Sequence, residues 1–254
     1  MEDTSVCDLF GAVESEPAPR TVEYYEAVFD IEDGQLKDTC ISLRMVKSHV
    51  LWANYLWNGG RWLANHLSTN VGLCRGRSVV ELGAGSGLPS IVAGKLGAER
   101  VCCTDYPDQE LVDNLRHNFA RNELKDSKKF DCRGFLWGDK VEDLLAFNEN
   151  RGYDLVFLCD LVFNHSEHQK LIKSTLELLD PEHGTAFCVF THYRPHFADR
   201  DLAFLQFPDW KDAGWQWEKI AEERGVLLFE HDRGDPEVRR TIHAYRLVRV
   251  PATV

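Results

Sequence analysis

The sequence lacks three features that would assign it to a class at once. No two of its eight cysteines form a C-x-x-C pair, it has no long uninterrupted apolar stretch, and residues 1–20 are acidic and rich in Pro, Glu and Ala. These absences argue against a clustered cysteine metal or redox motif, a membrane-spanning helix and a secretory leader. We therefore expect a cytoplasmic protein with reduced cysteines and no membrane partner.

Basic residues are also scarce, because Lys and Arg total 29 against 41 Asp and Glu, a formal net charge of −12. Such a balance argues against nucleic acid as a partner and modestly for a cationic partner, although a solvated acidic surface explains it equally well. With 254 residues, 44% of them apolar, the chain can bury one substantial core. We expect a monomer with a flexible acidic arm (1–20), a β-hairpin extension (21–48) and a catalytic domain (49–250).

Strand-like and helix-like segments alternate through most of the chain. Alternation of this kind predicts right-handed βαβ units and an α/β fold, a doubly wound sheet of seven strands that is mostly parallel. Two final strands without an intervening helix predict an antiparallel hairpin at the edge. The predicted strands are 78–82, 100–105, 130–135, 154–160, 185–191, 225–231 and 240–250, and the predicted helices are 86–96, 109–121, 141–147, 166–179 and material from 192 through 221.

A smaller extension precedes this alternation. Residues 24–29 and 41–45 alternate in strand fashion around Asp33-Gly34, which predicts a β-hairpin. Residues 50–67 have the apolar spacing of a helix, interrupted at Asn58-Gly59-Gly60. An interruption of this composition is typical of a turn that faces a ligand.

The most informative motif lies at residues 79–87, which read VVELGAGSG, with Asp105 closing the next apolar run. Gly83, Gly85 and Gly87 let a loop turn tightly and approach a ligand, because no Cβ atom blocks it. A carboxylate at the end of the next strand can bind both ribose hydroxyls. The spacing E-x-G-x-G-x-G differs from G-x-G-x-x-G and favours S-adenosylmethionine (SAM) over a dinucleotide. A glycine-rich turn without a ligand is the alternative interpretation.

Polar and aromatic residues follow the other strands of the predicted sheet at the edge where ligands bind. The Tyr106-Pro107 pair follows Asp105, and the Tyr106 ring could lie against an adenosine. Trp137 follows the third strand and offers a stacking surface for adenine, although a core tryptophan is an equal alternative. Asp160 ends the fourth strand and begins the turn DLVFNH.

Methyl transfer to an amine requires an unprotonated nitrogen aligned with the methyl carbon. An α-amine loses its proton at pH 7 at a cost of roughly 1 kcal/mol, against roughly 4–5 kcal/mol for a lysine. Asp160 could orient the amine, hold the methionine amino group, or cap the helix near Ser166. Phe163, Tyr193 and Trp57 could exclude water.

The paired histidines of the chain, His165 with His168 and His192 with His196, invite two hypotheses. A zinc site needs three or four convergent ligands, and no cysteine lies at short-motif distance, so we expect no metal. His165 could accept a proton near the amine. An exposed turn histidine is the competing interpretation.

Five segments together resemble the seven-strand protein lysine methyltransferases: WNGG at 57–60, VELGAG at 80–85, TDYPD at 104–108, FLWG at 135–138 and DLVFNHSEH at 160–168. The last, with EVRR at 237–240, is most similar to the fungal branch that methylates the N-terminus and a lysine of translation elongation factor 1-alpha. The likeness covers about residues 51–247. The wider family commonly has Tyr where this chain has Phe163, so a phenol cannot assist the amine here.

The resemblance implies an enzyme that uses SAM to methylate the N-terminal glycine and adjacent lysine of elongation factor 1-alpha. Trp57, Gly83, Asp105 and Trp137 would contact SAM. The candidate catalytic residues are Asp160, Phe163, His165 and Tyr193. The candidate cofactor residues are Trp57, Glu81, Gly83, Ala84, Gly85, Gly87, Asp105, Tyr106, Pro107, Trp137 and Asp160. A nicotinamide-like small-molecule methyltransferase, an inactive binding protein and, more distantly, a dinucleotide oxidoreductase are the alternatives.

Overall fold

A computed structural model describes residues 24–29, 39–46, 54–229, 231 and 233–250. The predicted arm (1–20), the Asp33-Gly34 turn and residues 50–53 of the predicted helix lie outside the described residues. Among the residues that are described, no helix has both the length and the apolar character needed to cross a membrane.

One seven-stranded sheet forms the centre of the molecule, in the order β5-β4-β3-β6-β7-β9-β8. Strands β3 to β7 are parallel, whereas β9 pairs antiparallel with both β7 and β8. The predicted α/β fold, mostly parallel with an antiparallel C-terminal edge, is therefore confirmed. The strands are β3 (Ser78–Leu82), β4 (Arg100–Asp105), β5 (Phe130–Gly134), β6 (Leu155–Cys159), β7 (Thr185–Thr191), β8 (Trp215–Arg224) and β9 (Thr241–Arg249).

Helices cover both faces of the sheet, because two buried apolar clusters lie on opposite sides of it. The first three helices contribute to one cluster and the last four pack with the other. They are α1 (Asn58–Thr69), α2 (Leu88–Lys95), α3 (Gln109–Arg121), α4 (Glu142–Phe147), α5 (His168–Leu178), α6 (Ala198–Gln206) and α7 (Pro208–Asp212). The order of strands reverses between β3 and β6, and such a switch point is where open α/β sheets bind ligands.

The prediction for the penultimate strand is wrong. Helical material through residue 221 and a strand at 225–231 were expected, whereas the strand is β8 and the segment after it is irregular. Glu, Lys and Ala in β8 favour a helix by propensity, but pairing with β9 overrides it. Trp215 is buried and Trp217 packs against the apolar cluster beneath the sheet.

The start of the first helix is also corrected. The helical pattern was expected to begin at residue 50 and to break at Asn58-Gly59-Gly60, yet these three residues form the first turn of α1. The preceding residue, Trp57, supplies no side-chain cap. The unpaired N–H groups of a helix start need an acceptor, and here one comes from the turn after β6, as described below.

Two N-terminal strands, β1 (Tyr24–Phe29) and β2 (Thr39–Arg44), pair antiparallel as predicted. Three asparagines spaced four residues apart, two on α3 and one at its C-terminal cap, attach β2 to the domain. The Asn118 and Asn122 side chains bond the main chain at Arg44 and Ser42, and Asn114 bonds the carbonyl oxygen of Arg44. Asn118 also donates to the carbonyl oxygen of Ser86, which connects this extension to the glycine-rich loop.

Candidate active site

A cavity of about 430 Å³ lies at the carboxyl ends of β3, β4 and β6. This volume is within the range of small-molecule sites. Most of the candidate residues line it, namely Trp57, Glu81, Gly83, Ala84, Gly85, Asp105, Tyr106, Trp137, Asp160 and Phe163. Four other candidates are not among its lining residues, namely Gly87, Pro107, His165 and Tyr193.

The glycine-rich loop follows β3 and forms one wall of the cavity. Gly83 and Gly85 have φ values of 63° and 58°, a region that favours glycine. A Cβ atom at Gly83 would lie 2.6 Å from Leu161, whereas one at Gly85 would have no protein atom within 4 Å. Gly85 therefore exposes its backbone to open cavity space, as close approach by a ligand requires. Gly87, with φ of 79°, precedes α2 and shapes the loop from behind.

Asp105 ends β4 and is fixed by the loop that it faces. Its Oδ2 atom accepts a hydrogen bond from the Gly85 N–H at 2.6 Å, and its Oδ1 atom accepts one from the Tyr106 N–H at 2.7 Å. These bonds orient the carboxylate toward the glycine-rich loop. A carboxylate has acceptor capacity beyond two bonds, so this placement suits a ribose.

Glu81 is a second carboxyl group at the cavity, and it is 1% exposed. Ser90 on α2 donates to Glu81 Oε2 from its backbone N–H at 3.1 Å and from its hydroxyl at 2.5 Å. Burial raises the pKa of Glu81 to about 8 despite these bonds. The sequence offered no signal for Ser90, because it lies inside an apolar helix.

Asp160 is buried and has a φ of 54°, an unusual value for a residue other than glycine. Its Oδ2 atom accepts from the Gly59 N–H at 2.6 Å, and its Oδ1 atom accepts from the Thr191 N–H at 3.2 Å. Burial raises its pKa to about 7, although these backbone bonds oppose the shift. Asp160 therefore caps the start of α1, and the expected alternative of a cap near Ser166 is wrong.

Aromatic rings surround Trp57 beside Asp160. We call Tyr55, Trp57, Phe163, Tyr193 and Phe229 the aromatic cluster. The Trp57 ring centroid lies 4.8 Å from Tyr193, 5.7 Å from Tyr55, 5.8 Å from Phe229 and 6.4 Å from Phe163. Tyr55, Trp57 and Phe163 line the cavity, and the other two rings are behind them. Sequence reasoning missed Phe229, because its segment was expected to be a strand.

The Phe229 segment is held at two points. Asn58 accepts from the Val226 N–H at 3.1 Å and donates to the Val226 carbonyl oxygen at 2.8 Å. The buried Arg239 guanidinium donates to the Phe229 carbonyl oxygen. The Asn58 N–H in turn donates to the Tyr193 hydroxyl at 3.2 Å. Buried Asn and Arg side chains therefore fix the rings behind Trp57.

His165 is not among the residues that line the cavity, although its neighbours Asn164 and Ser166 are. Its Nε2 atom is 2.7 Å from Oδ1 of Asp201, and Nδ1 of His192 is 2.7 Å from Oδ2 of the same carboxylate. Asp201 is 3% exposed, and sequence reasoning missed it because it lies on a helix with ordinary spacing. This triad joins the turn after β6 to the end of β7. Across the described ranges, no group of three His, Cys, Asp or Glu side chains could hold a metal ion.

The cavity combines acidic and aromatic walls. Glu81, Asp105 and Asp160 contribute carboxyl groups, while Tyr106 and Trp137 contribute rings at the end near Asp105. The carboxylate of Asp105, and that of Asp160 when it is ionised, favour a ligand that carries positive charge, and rings favour a heteroaromatic base. The residues present therefore fit SAM, which combines adenosine with a sulfonium.

Comparison with known proteins agrees with this fit. Residues 40–207 match a family described as lysine methyltransferases. A Schizosaccharomyces pombe relative, protein N-terminal and lysine N-methyltransferase efm7, is 41% identical over 237 residues, which cover 92% of this chain and 90% of the relative. The protein of the same name from Kluyveromyces lactis is 37% identical over 252 residues. This match covers 92% of each of the two chains.

Solved structures of lower identity share the fold. A protein of Pyrococcus horikoshii assigned as an RNA methyltransferase has a TM-score of 0.54 at 22% identity. The superposed region covers 82% of this chain and 93% of that protein's chain. A protein of Streptococcus mutans assigned as a SAM-dependent methyltransferase has a TM-score of 0.57 at 16% identity. The superposed region covers 93% of this chain and 57% of that protein's chain. At these identities the likeness shows the fold alone.

Proposed function

This chain belongs to the lysine methyltransferase family, and we propose that it uses SAM to methylate the N-terminal glycine and adjacent lysine of translation elongation factor 1-alpha. The observation that carries the proposal is the match to relatives named protein N-terminal and lysine N-methyltransferase, which extends over nine-tenths of the chain and the relative. The arrangement of Asp105, the glycine-rich loop and the aromatic cluster supports it.

The site residues would divide the work between donor and acceptor. Asp105, fixed by the Gly85 N–H, would hold the ribose of SAM, and Trp137 and Tyr106 would enclose the adenine. SAM, when bound, supplies a methyl group that its sulfonium already activates. The chain itself then needs only to align a neutral amine and to exclude water.

The acceptor end of the cavity lies between α1 and the turn that carries Phe163. Asp160 holds the first turn of α1 in place through the Gly59 N–H, and this turn follows directly on Trp57. Trp57 and Phe163 would exclude water from the amine, which lowers the cost of its neutral form. An N-terminal α-amine is the easier acceptor, and a lysine needs this partial desolvation more.

The proposal is tested with purified components. The enzyme is incubated with labelled SAM and with recombinant elongation factor 1-alpha whose N-terminus is free, and the N-terminal peptide is analysed by mass spectrometry. We expect label on both amines. A substrate with an acetylated N-terminus and its neighbouring lysine changed to Arg should take up none.

Two other results would replace the proposal. Turnover of nicotinamide without label on protein would indicate a small-molecule methyltransferase. Calorimetry that detects no heat with SAM or its demethylated product, S-adenosylhomocysteine, would indicate a binding protein that has lost catalysis.

A further inference from the structure

We propose that Tyr55, Trp57 and Phe163, which we call the ring pocket, bind the methylated ammonium of the product and so favour repeated methylation of one nitrogen. The inference rests on the proposed function and concerns the acceptor end of the same cavity. All three side chains line that cavity, and Tyr193 and Phe229 support them from behind.

The rings of Trp57 and Phe163 are arranged to act on one cation. Their planes are within 23° of parallel and their centroids are 6.4 Å apart. A cation that lies over the cavity-facing side of both rings can be within about 6 Å of both centroids, the range in which cation–π attraction operates. The faces of Trp, Tyr and Phe attract quaternary ammonium groups in this way.

The carboxyl groups of the described cavity lining are already engaged. Both oxygens of Asp160 accept backbone N–H bonds, from Gly59 and Thr191. Glu167 accepts from Lys170 at 2.8 Å. Glu81 accepts from Ser90, and Asp105 accepts from Gly85 at the opposite, ribose end.

Ring faces suit repeated transfer better than a carboxylate would. A carboxylate paired with the amine favours its protonated form, which cannot accept a methyl group. Ring faces attract the cation more weakly, and they also contact its methyl groups. A nitrogen held in this way can still lose a proton between transfers.

Each transfer then balances without a further reagent. The nitrogen lone pair forms the new N–C bond while the S–C bond breaks, and its electron pair stays on sulfur. The nitrogen becomes positively charged and releases a proton to water before the next transfer. After the third methyl group, an α-amine is quaternary and has no proton to release.

The ring pocket is held rigidly from outside the catalytic turn. Asn58 fixes Val226 by two hydrogen bonds, and Arg239 fixes the Phe229 carbonyl oxygen. These contacts give the segment after β8 a role in supporting the acceptor site. A preorganised wall loses little entropy on binding.

Binding of three peptides to enzyme saturated with S-adenosylhomocysteine tests the inference directly. The peptides share the N-terminal sequence of elongation factor 1-alpha and differ only in the first residue, which is glycyl, trimethylglycyl or 3,3-dimethylbutanoyl. The last two have the same shape, but only trimethylglycyl is charged. By calorimetry we expect the trimethylglycyl peptide to bind about tenfold more tightly than its neutral isostere.

Variants show whether the rings cause this preference. Phe163→Leu and Trp57→Leu keep apolar volume and should reduce the tenfold ratio to about threefold or less. Phe147→Leu, a half-buried ring outside the cavity lining, should leave it unchanged. In a methylation assay, Phe163→Leu should also shift the products toward the monomethylated form.

Several outcomes would overturn the inference. Equal binding of the charged and neutral peptides would show an apolar wall without charge preference, and failure of all three to bind would exclude the pocket. If protein methylation proceeds normally in either case, only this inference fails. If labelled SAM transfers nothing to protein, the proposed function fails first.

Discussion

At the scale of single residues, Asp160 has a structural role that its position in the motif DLVFNH does not reveal. Its carboxylate accepts N–H bonds from Gly59, which lies 101 residues earlier in the chain, and from Thr191 on the neighbouring strand. These two hydrogen bonds join the turn after β6 to α1 and to β7, which are distant in the sequence, so no local sequence pattern could reveal them. The sequence indicated Asp160 as a site residue, but only the fold shows what its oxygens bind.

Replacing Asp160 by Asn keeps the shape of the side chain and changes only its capacity to accept hydrogen bonds. The amide presents an NH₂ group to one of two backbone donors, so one hydrogen bond is lost and a buried donor remains unsatisfied. We expect the free energy of unfolding to fall by about 1–3 kcal/mol, measured by chemical denaturation. Asp113→Asn, an exposed change on α3, should alter it by less than about 0.5 kcal/mol. Equal effects would contradict the assignment.

The raised pKa of Glu81 makes the stability of the fold depend on pH. Its pKa is about 8 in the folded protein and near 4.5 ordinarily, so between these values the folded chain holds a proton that the unfolded chain releases. This contribution to stability is fully present below about pH 4.5 and is lost as pH rises through about 8.

The comparison uses Glu81→Gln, which can still accept from Ser90 and does not titrate. We expect the melting temperature of the wild type to fall by several degrees more than that of the variant between acidic and mildly alkaline pH. Since Asp160 titrates in both proteins, the difference isolates Glu81. Parallel melting curves across this range would show that Glu81 is not buried as a proton-binding group.

At the scale of elements, the first turn of α1 is packed against Asp160, the residue after β6, and against Val189 of β7. A Cβ atom at Gly59 would lie 2.5 Å from Oδ2 of Asp160 and 2.5 Å from the carbonyl oxygen of Val189. At Gly60 the nearest atoms belong to Pro89, at an ordinary 3.9 Å. Two adjacent glycines in one helical turn therefore have different constraints.

We expect Gly59→Ala to lower the free energy of unfolding by about 1–3 kcal/mol, because the Val189 carbonyl oxygen belongs to the backbone of a central strand and the Asp160 carboxylate is held by its own hydrogen bonds. Gly60→Ala should be neutral or stabilising by up to about 1 kcal/mol, since alanine favours the helix. Thermal melts of the Gly59→Ala and Gly60→Ala variants, compared with the wild type, measure this difference in stability. A similar loss in both would mean that the turn does not approach Asp160 and β7 closely.

Some elements of the fold could be identified from the sequence and others could not. The loop after β3 was identifiable because Gly83, Gly85 and Asp105 lie within one βαβ unit, and their conformational requirements are local. β8 was not identifiable, because Glu, Lys and Ala favour a helix until β9 pairs with them. That error also hid Phe229, whose position depends on contacts with Asn58 and Arg239 far away in the sequence.

At the scale of the whole molecule, the sheet brings distant segments to one cavity. Residues from α1, from the turns after β3, β4 and β6, and from the stretch after β5 meet at the switch point between β3 and β6. The segment after β8 supports this arrangement from behind. The alternating pattern predicted this convergence, because parallel strands end at the same edge.

The central claim is that this assembly transfers methyl groups to the amines of a protein N-terminus. A cell lysate incubated with the enzyme and isotopically labelled SAM, analysed by peptide mass spectrometry, tests it most directly. We predict label on the N-terminal glycine and adjacent lysine of elongation factor 1-alpha, and little in a lysate treated with Asp105→Ala enzyme. Label confined to small molecules, or absent from every N-terminal peptide, would contradict it.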